Sequence, residues 1–115
     1  MRIPVKKAIL SRMNILEVEA GTNGYHGGDS GGGSRTYLAL RDRGATTWRL
    51  RVRDRCGKDW IFEQPVSVEI TVGGDSELDT FLDALKFSAQ ALTDLLRLEH
   101  ADKPTHDVFH DVEVE

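Results

Sequence analysis

Residues 21–36 read Gly-Thr-Asn-Gly-Tyr-His-Gly-Gly-Asp-Ser-Gly-Gly-Gly-Ser-Arg-Thr and hold seven of the chain's eleven glycines. A strand-like apolar run flanks this stretch on each side. A loop of that length costs closure entropy and carries many bare N–H groups, so inside a compact domain it signals a binding loop or a disordered tip rather than a plain connector. The folds open to the chain are therefore those that place a long glycine loop between two strands.

On the near side, Leu16, Val18 and Ala20 alternate with Glu17 and Glu19. On the far side, Leu38 and Leu40 alternate along Thr36 to Arg41. This is the period of half-buried strands, and the pair predicts a hairpin with a long tip. Residues 4–10, Pro-Val-Lys-Lys-Ala-Ile-Leu, open the chain ahead of it. After a turn at residues 42–45, residues 46–53 predict the cleanest strand, with Trp48, Leu50 and Val52 on one side and Arg49, Arg51 and Arg53 on the other. Residues 60–62 and 66–72 predict two more, interrupted by Pro65 at an edge or bulge.

Residues 73–79, Gly-Gly-Asp-Ser-Glu-Leu-Asp, predict a helix start. Asp75 or Ser76 can cap it, and Ser76 with Asp79 approximates a capping box. Leu78, Phe81, Leu82, Leu85, Ala89, Leu92, Leu95 and Leu96 recur at three and four residues, so the helix runs to about residue 98. Ala84, Phe87 and Ala91 widen the stripe, leaving part of it for a second protomer once the sheet is covered. Pro104 forbids continuation. The expected fold class is α+β: an antiparallel sheet of four to five strands, packed by one long C-terminal amphipathic helix. Residues 1–103 form the single domain and residues 104–115 an acidic tail, with a short added strand at 108–114.

With 115 residues, 39% hydrophobic and 30% charged, the chain sits in the globular range, and its apolar runs are too short to cross a bilayer. The N-terminal residues show charges without an apolar stretch, and a single Cys56 makes no internal disulfide, which points to a reducing, cytoplasmic setting. A net charge of −4 argues against duplex nucleic acid as partner. Between Arg35 and Arg55, however, seven arginines face only Asp42 and Asp54, so a small polyanion could still be held.

Gly28-Asp-Ser-Gly-Gly32 matches the nucleophile motif of trypsin-like proteases letter for letter, and we reject it. Those enzymes need a body about twice as long with the other triad members well upstream, and His26 shares the flexible loop with Ser30. No Gly-Lys-Ser/Thr follows the loop, and no helix does, which excludes a phosphate-binding NTPase loop and a dinucleotide fingerprint.

What remains is an anion nest. Amides of Gly27 and Gly28 converge, Ser30, Arg35 and Thr36 complete the grip, Tyr25 or His26 stacks on a base, and Asp29 accepts from a base or ribose. Arg49 and Arg51 extend the site if the arginine row joins the loop. The alternatives are a permissive tip, and a solvated face whose arginines pair with Glu17, Glu19 and Glu69 across strands. His106 and His110 have helical metal-ligand spacing but no cysteine support, and Cys56 has no base beside it. No metal or cofactor is called for. No nucleophile with its base stands at persuasive spacing, so the expected protein is not an enzyme.

Two segments, Leu16-Glu-Val-Glu-Ala-Gly-Thr through Gly27-Gly-Asp-Ser-Gly and Gly33-Ser-Arg-Thr-Tyr37, and Gly73-Gly-Asp-Ser-Glu-Leu-Asp through Phe87, together resemble a group of small, uncharacterised proteins carried by phages and mobile elements of bacteria. The similarity covers about a third of the chain and brings no functional residue with it. It implies an inhibitor context, with an analogy to phage proteins that sequester cyclic-nucleotide immune signals in oligomer pockets. The expectation is thus a homo-oligomeric nucleotide binder in the host cytoplasm, with a protein-interaction module as its competitor.

Overall fold

The computed structural model describes residues 2–28, 32–98 and 111–114. Six strands precede one helix: β1 Val5–Ser11, β2 Ile15–Thr22, β3 Arg35–Gly44, β4 Arg49–Arg53, β5 Asp59–Glu63, β6 Ser67–Gly73 and α1 Asp75–Leu98. The α+β class and the hairpin around the glycine loop are as the alternation predicts. The expected strand over 46–53 starts three residues later, at Arg49.

The strands form two sheets rather than one. β1, β2, β3 and β6 make an antiparallel four-stranded sheet in that order, and β4 pairs only with β5. Strand alternation shows which side chains share a face but not which strand lies alongside, so the separate ribbon is not visible in the pattern. The β4–β5 turn is tied by Asp54, whose Oδ1 accepts from the amides of Cys56 and Lys58 at 2.9 Å each. At the ribbon's foot the Trp48 indole N–H donates to Pro65 O at 2.7 Å.

Register sorts the four-stranded sheet into two faces. One carries Ala8, Leu10, Leu16, Val18, Ala20, Leu38, Leu40, Val68, Ile70 and Val72; the other carries Lys7, Glu17, Glu19, Tyr37, Ala39, Arg41 and Glu69. On the second face Arg41 donates to Glu17 Oε2 at 2.8 Å and lies 3.4 Å from both Glu19 and Glu69, while Arg43 reaches Glu17 Oε1 at 3.2 Å. Ala39 shares this face and is fully buried.

Glu17 is only 5% exposed. The Arg41 guanidinium, with help from Arg43, holds its carboxyl below the usual carboxylate range in spite of burial. The folded value lies below the unfolded one near pH 4.3, so this contribution is complete above about pH 4.3 and is lost as pH falls through the depressed folded value. Melting curves taken from neutral to acid pH should therefore steepen their decline below about pH 4. In Glu17→Gln the protein should melt lower at neutral pH and lose part of that acid dependence. An unchanged pH profile would refute the role given to this pair.

The chain divides into two units, residues 1–81 and 82–115, so α1 contributes its first two turns to the first. Within the first unit Leu78 is buried. Among the described residues Ala39 and Leu78 are the buried apolar side chains, and Leu82, Leu85, Leu92, Leu95 and Leu96 stand between 40% and 65% exposed. The tail strand expected at 108–114 and the His106–His110 pair fall mostly outside the described residues; 111–114, which are described, form no strand.

Candidate functional site

The glycine loop leaves β2 after Thr22 and returns at Arg35. Its foot is cross-braced by Asn23, whose side chain accepts from Arg35 N at 2.7 Å and donates to Gly33 O at 3.0 Å. Thr22 and Thr36 hydroxyls meet at 3.0 Å directly above the last strand pair. The chain then turns through Gly24 and Gly27, both at positive φ. At Gly27 a side chain would be strained, and that conformation is what aims two successive amides the same way.

Those two amides meet a carboxylate of the chain itself. His26 N donates to Asp75 Oδ1 at 2.9 Å and Gly27 N to Asp75 Oδ2 at 2.8 Å. Asp75 N in turn donates to Gly28 O at 2.8 Å, and Gly74 N to Ser34 O at 3.0 Å. The Tyr25 hydroxyl donates to Asp79. The loop is thereby lashed to the first turn of α1. Asp75 and Asp79, expected to cap the helix, hold the loop instead. Gly74 O accepts the first helical bond from Leu78 N at 3.1 Å.

Of the residues expected to bind a ligand, Tyr25, His26, Gly27, Gly28, Arg35 and Thr36 are brought together around this clamp. Tyr25 is 63% exposed, and His26 is exposed with its Nε2 at 3.0 Å from Asn23 O. Arg35 is placed differently from expectation. Its guanidinium donates to Gly32 O and, at 2.8 Å, to Ser34 O, and it lies over Gly73, so it braces the loop's own carbonyls. Thr36 spends its hydroxyl on Thr22. Asp29 and Ser30 lie outside the described residues.

Arg49 and Arg51 are not part of this constellation. They sit on the β4–β5 ribbon with Arg53, where Arg49 pairs with Glu63 at 3.0 Å, Arg51 with Asp59 at 2.6 Å and Arg53 with Asp59 at 2.7 Å. The expected partners Glu17, Glu19 and Glu69 belong to Arg41 and Arg43. Two guanidinium groups on one carboxyl hold Asp59 far below the usual range, Arg53 contributing most.

Residues that sequence reasoning missed are Asn23, Ser34, Asp75 and Asp79. Ser34 is fully buried at the foot of the loop, and its hydroxyl has no hydrogen-bond partner among the described residues. A polar group in that state calls for an explanation. An acid directly after Gly73-Gly74 was legible only as a helix cap, although an anion-seeking loop elsewhere in the chain offered the other reading.

Elsewhere, a depression of about 320 Å³ lined by Ile3, Val5, Tyr37 and Thr71 opens beside β1. Burial, then the bond to Glu69, raises the Tyr37 phenol above its ordinary value. Among the described residues no group of three or more His, Cys, Asp or Glu could hold a metal ion, and no helix is long and apolar enough to cross a membrane. Comparison with protein families, curated proteins and solved structures finds no match.

Proposed function

We propose that this chain is a small non-enzymatic binding protein, a homo-oligomer of phage origin acting in the cytoplasm of a bacterial host, that sequesters a phosphorylated small ligand such as a nucleotide signal at the glycine loop. The observation that carries the reading is the convergence of the His26 and Gly27 amides on one carboxylate, because an anion already occupies the geometry that a phosphate would take. Tyr25 and His26 offer flat, exposed surfaces for a base beside it.

Binding on this reading is an exchange: phosphate takes the two amides and the Asp75 carboxylate gives them up. Asp75 is then the internal competitor. Removing its charge should raise affinity for phosphate-bearing ligands roughly tenfold or more, since like charge beside a bound anion disfavours it. Thermal-shift measurements on wild type and Asp75→Asn with inorganic phosphate, mononucleotides and cyclic dinucleotides test this, because a ligand of the folded state raises its melting temperature. Stabilisation of the variant at lower ligand concentration than wild type is expected. If none of these ligands stabilises either protein, the reading is wrong.

A second reading, a protein-interaction module, is favoured by the β4–β5 ribbon. Val52, Trp60 and Phe62 share one of its faces and are all close to half exposed, and a two-stranded ribbon gains little stability alone. Under that reading no nucleotide shifts the melting temperature, and Trp60→Ser abolishes capture of the protein partner.

A further inference from the structure

The four-stranded sheet ends in two free edges, β1 and β6, and they are built differently. β1 carries Lys6 and Lys7 and is flanked by Pro4 and Arg12; lysine and proline are the residues with which natural sheets keep an edge from pairing. β6 has neither. It reads Ser67-Val-Glu-Ile-Thr-Val-Gly73, in which all but one of the residues from Val68 to Val72 are β-branched and Glu69 is the only charge. That charge is tied inward: Glu69 accepts from the Tyr37 hydroxyl at 3.0 Å and lies 3.4 Å from Arg41, both on β3. On the side away from β3, the backbone N–H and C=O groups of β6 meet no backbone partner among the described residues. An unguarded strand of this composition is a template for another strand.

We propose that β6 pairs antiparallel with β6 of a second copy about a two-fold axis at Ile70, joining two four-stranded sheets into one continuous sheet. The segment is self-complementary in that register. Ile70 lies opposite the partner's Ile70 and Val68 opposite the partner's Val72, so apolar side chains meet on the face that also carries Leu38 and Leu40. Glu69 lies opposite the partner's Thr71, and no like charges stand directly across from each other. Affinity in a strand-to-strand pair comes mainly from the main-chain hydrogen bonds rather than from the area covered. A two-fold pair also closes, leaving only the lysine-bearing β1 edges outside. β1 of one copy on β6 of the next would match lysines to Glu69, but that head-to-tail contact would repeat without end. The pairing deepens the homo-oligomer part of the function proposed above and does not depend on the ligand.

Sedimentation equilibrium of the full chain, with no ligand added, should give a dimer at micromolar concentration. Thr71→Glu sets a carboxylate across from the partner's Glu69, twice in each pair by symmetry, and should weaken the dimer about ten-fold; Thr71→Lys should leave it as tight or tighter. Lys7→Glu, on the other edge, should change nothing. In a Cys56→Ser background, Ile70→Cys should form a disulfide between copies on mild oxidation, because directly opposed residues hold their Cα atoms roughly 4.5–5.5 Å apart, within disulfide reach. That cross-link reads the pairing even if Thr71→Glu fails to fold. A wild-type monomer with intact circular dichroism overturns the proposal, and so does a dimer that neither cross-links through residue 70 nor weakens with Thr71→Glu. Assemblies that lengthen with concentration and dissolve on Lys7→Glu overturn it in favour of the head-to-tail contact. Each of these results leaves the nucleotide thermal shifts to be judged separately.

Discussion

Asp75→Ala should lower the melting temperature by about 10 °C, a large effect for one half-buried acid. The reason lies in what the carboxylate holds. Its two oxygens accept from His26 N and Gly27 N, and the neighbouring backbone contacts, Asp75 N to Gly28 O and Gly74 N to Ser34 O, depend on the loop staying where those bonds place it. Charge-assisted bonds of this kind contribute more than neutral ones; discounted for solvent, the pair and the ordering it enforces amount to about 2 kcal/mol. Asp75→Asn keeps one acceptor oxygen and should lose less. Asp83→Ala, on the same helix, should change almost nothing. Differential scanning calorimetry of the three variants decides it, and equal melting points for Asp75→Ala and wild type would remove the clamp from the account.

Gly21→Val is the second large effect. An ideal Cβ at Gly21 stands 2.3 Å from Pro4 O and 2.5 Å from Val5 Cγ1. Gly21 pairs with Val5 on one side and Tyr37 on the other, so neither neighbour can withdraw without losing register. Overpacking of this type costs about 3 kcal/mol, and the first turn of β1 should detach, with faster amide exchange at its start. Gly44→Ala is the contrast. The nearest atom to its added Cβ is Ile15 Cδ1 at 3.6 Å, an ordinary contact, and the smaller entropy of the unfolded chain makes that change neutral or stabilising by about 0.5 kcal/mol. Urea unfolding of both variants compares them. Similar midpoints would mean that β1 does not lie against Gly21.

The parts of this fold that were legible in the sequence are those governed by near neighbours. Alternation at Leu16, Val18 and Ala20 and at Leu38 and Leu40 gives the β2–β3 hairpin, and the three-four spacing from Leu78 gives α1 with nearly correct ends. What could not be read depends on contacts between residues far apart. Arg49 and Arg51 alternate like any strand residues, and only the pairing of β4 with β5 takes them away from the loop. Asp75 looks like a cap because its sequence neighbours are helical; the amides it binds lie 48 and 49 residues earlier. Two glycine-bearing stretches, one around Gly27-Gly28 and one around Gly73-Gly74-Asp75, are the two halves of this clamp. Arg35 was expected to face a ligand because guanidinium groups suit phosphate, yet the loop carbonyls of Gly32 and Ser34 are nearer acceptors.

Amide hydrogen exchange at His26 and Gly27, followed by NMR in wild type and Asp75→Ala, tests the clamp most directly. Both amides sit in an exposed loop, so slow exchange in wild type has no source other than the Asp75 carboxylate. The account predicts slow exchange at both positions in wild type and exchange near the free-peptide rate once the carboxylate is removed. Equal rates in the two proteins would contradict it.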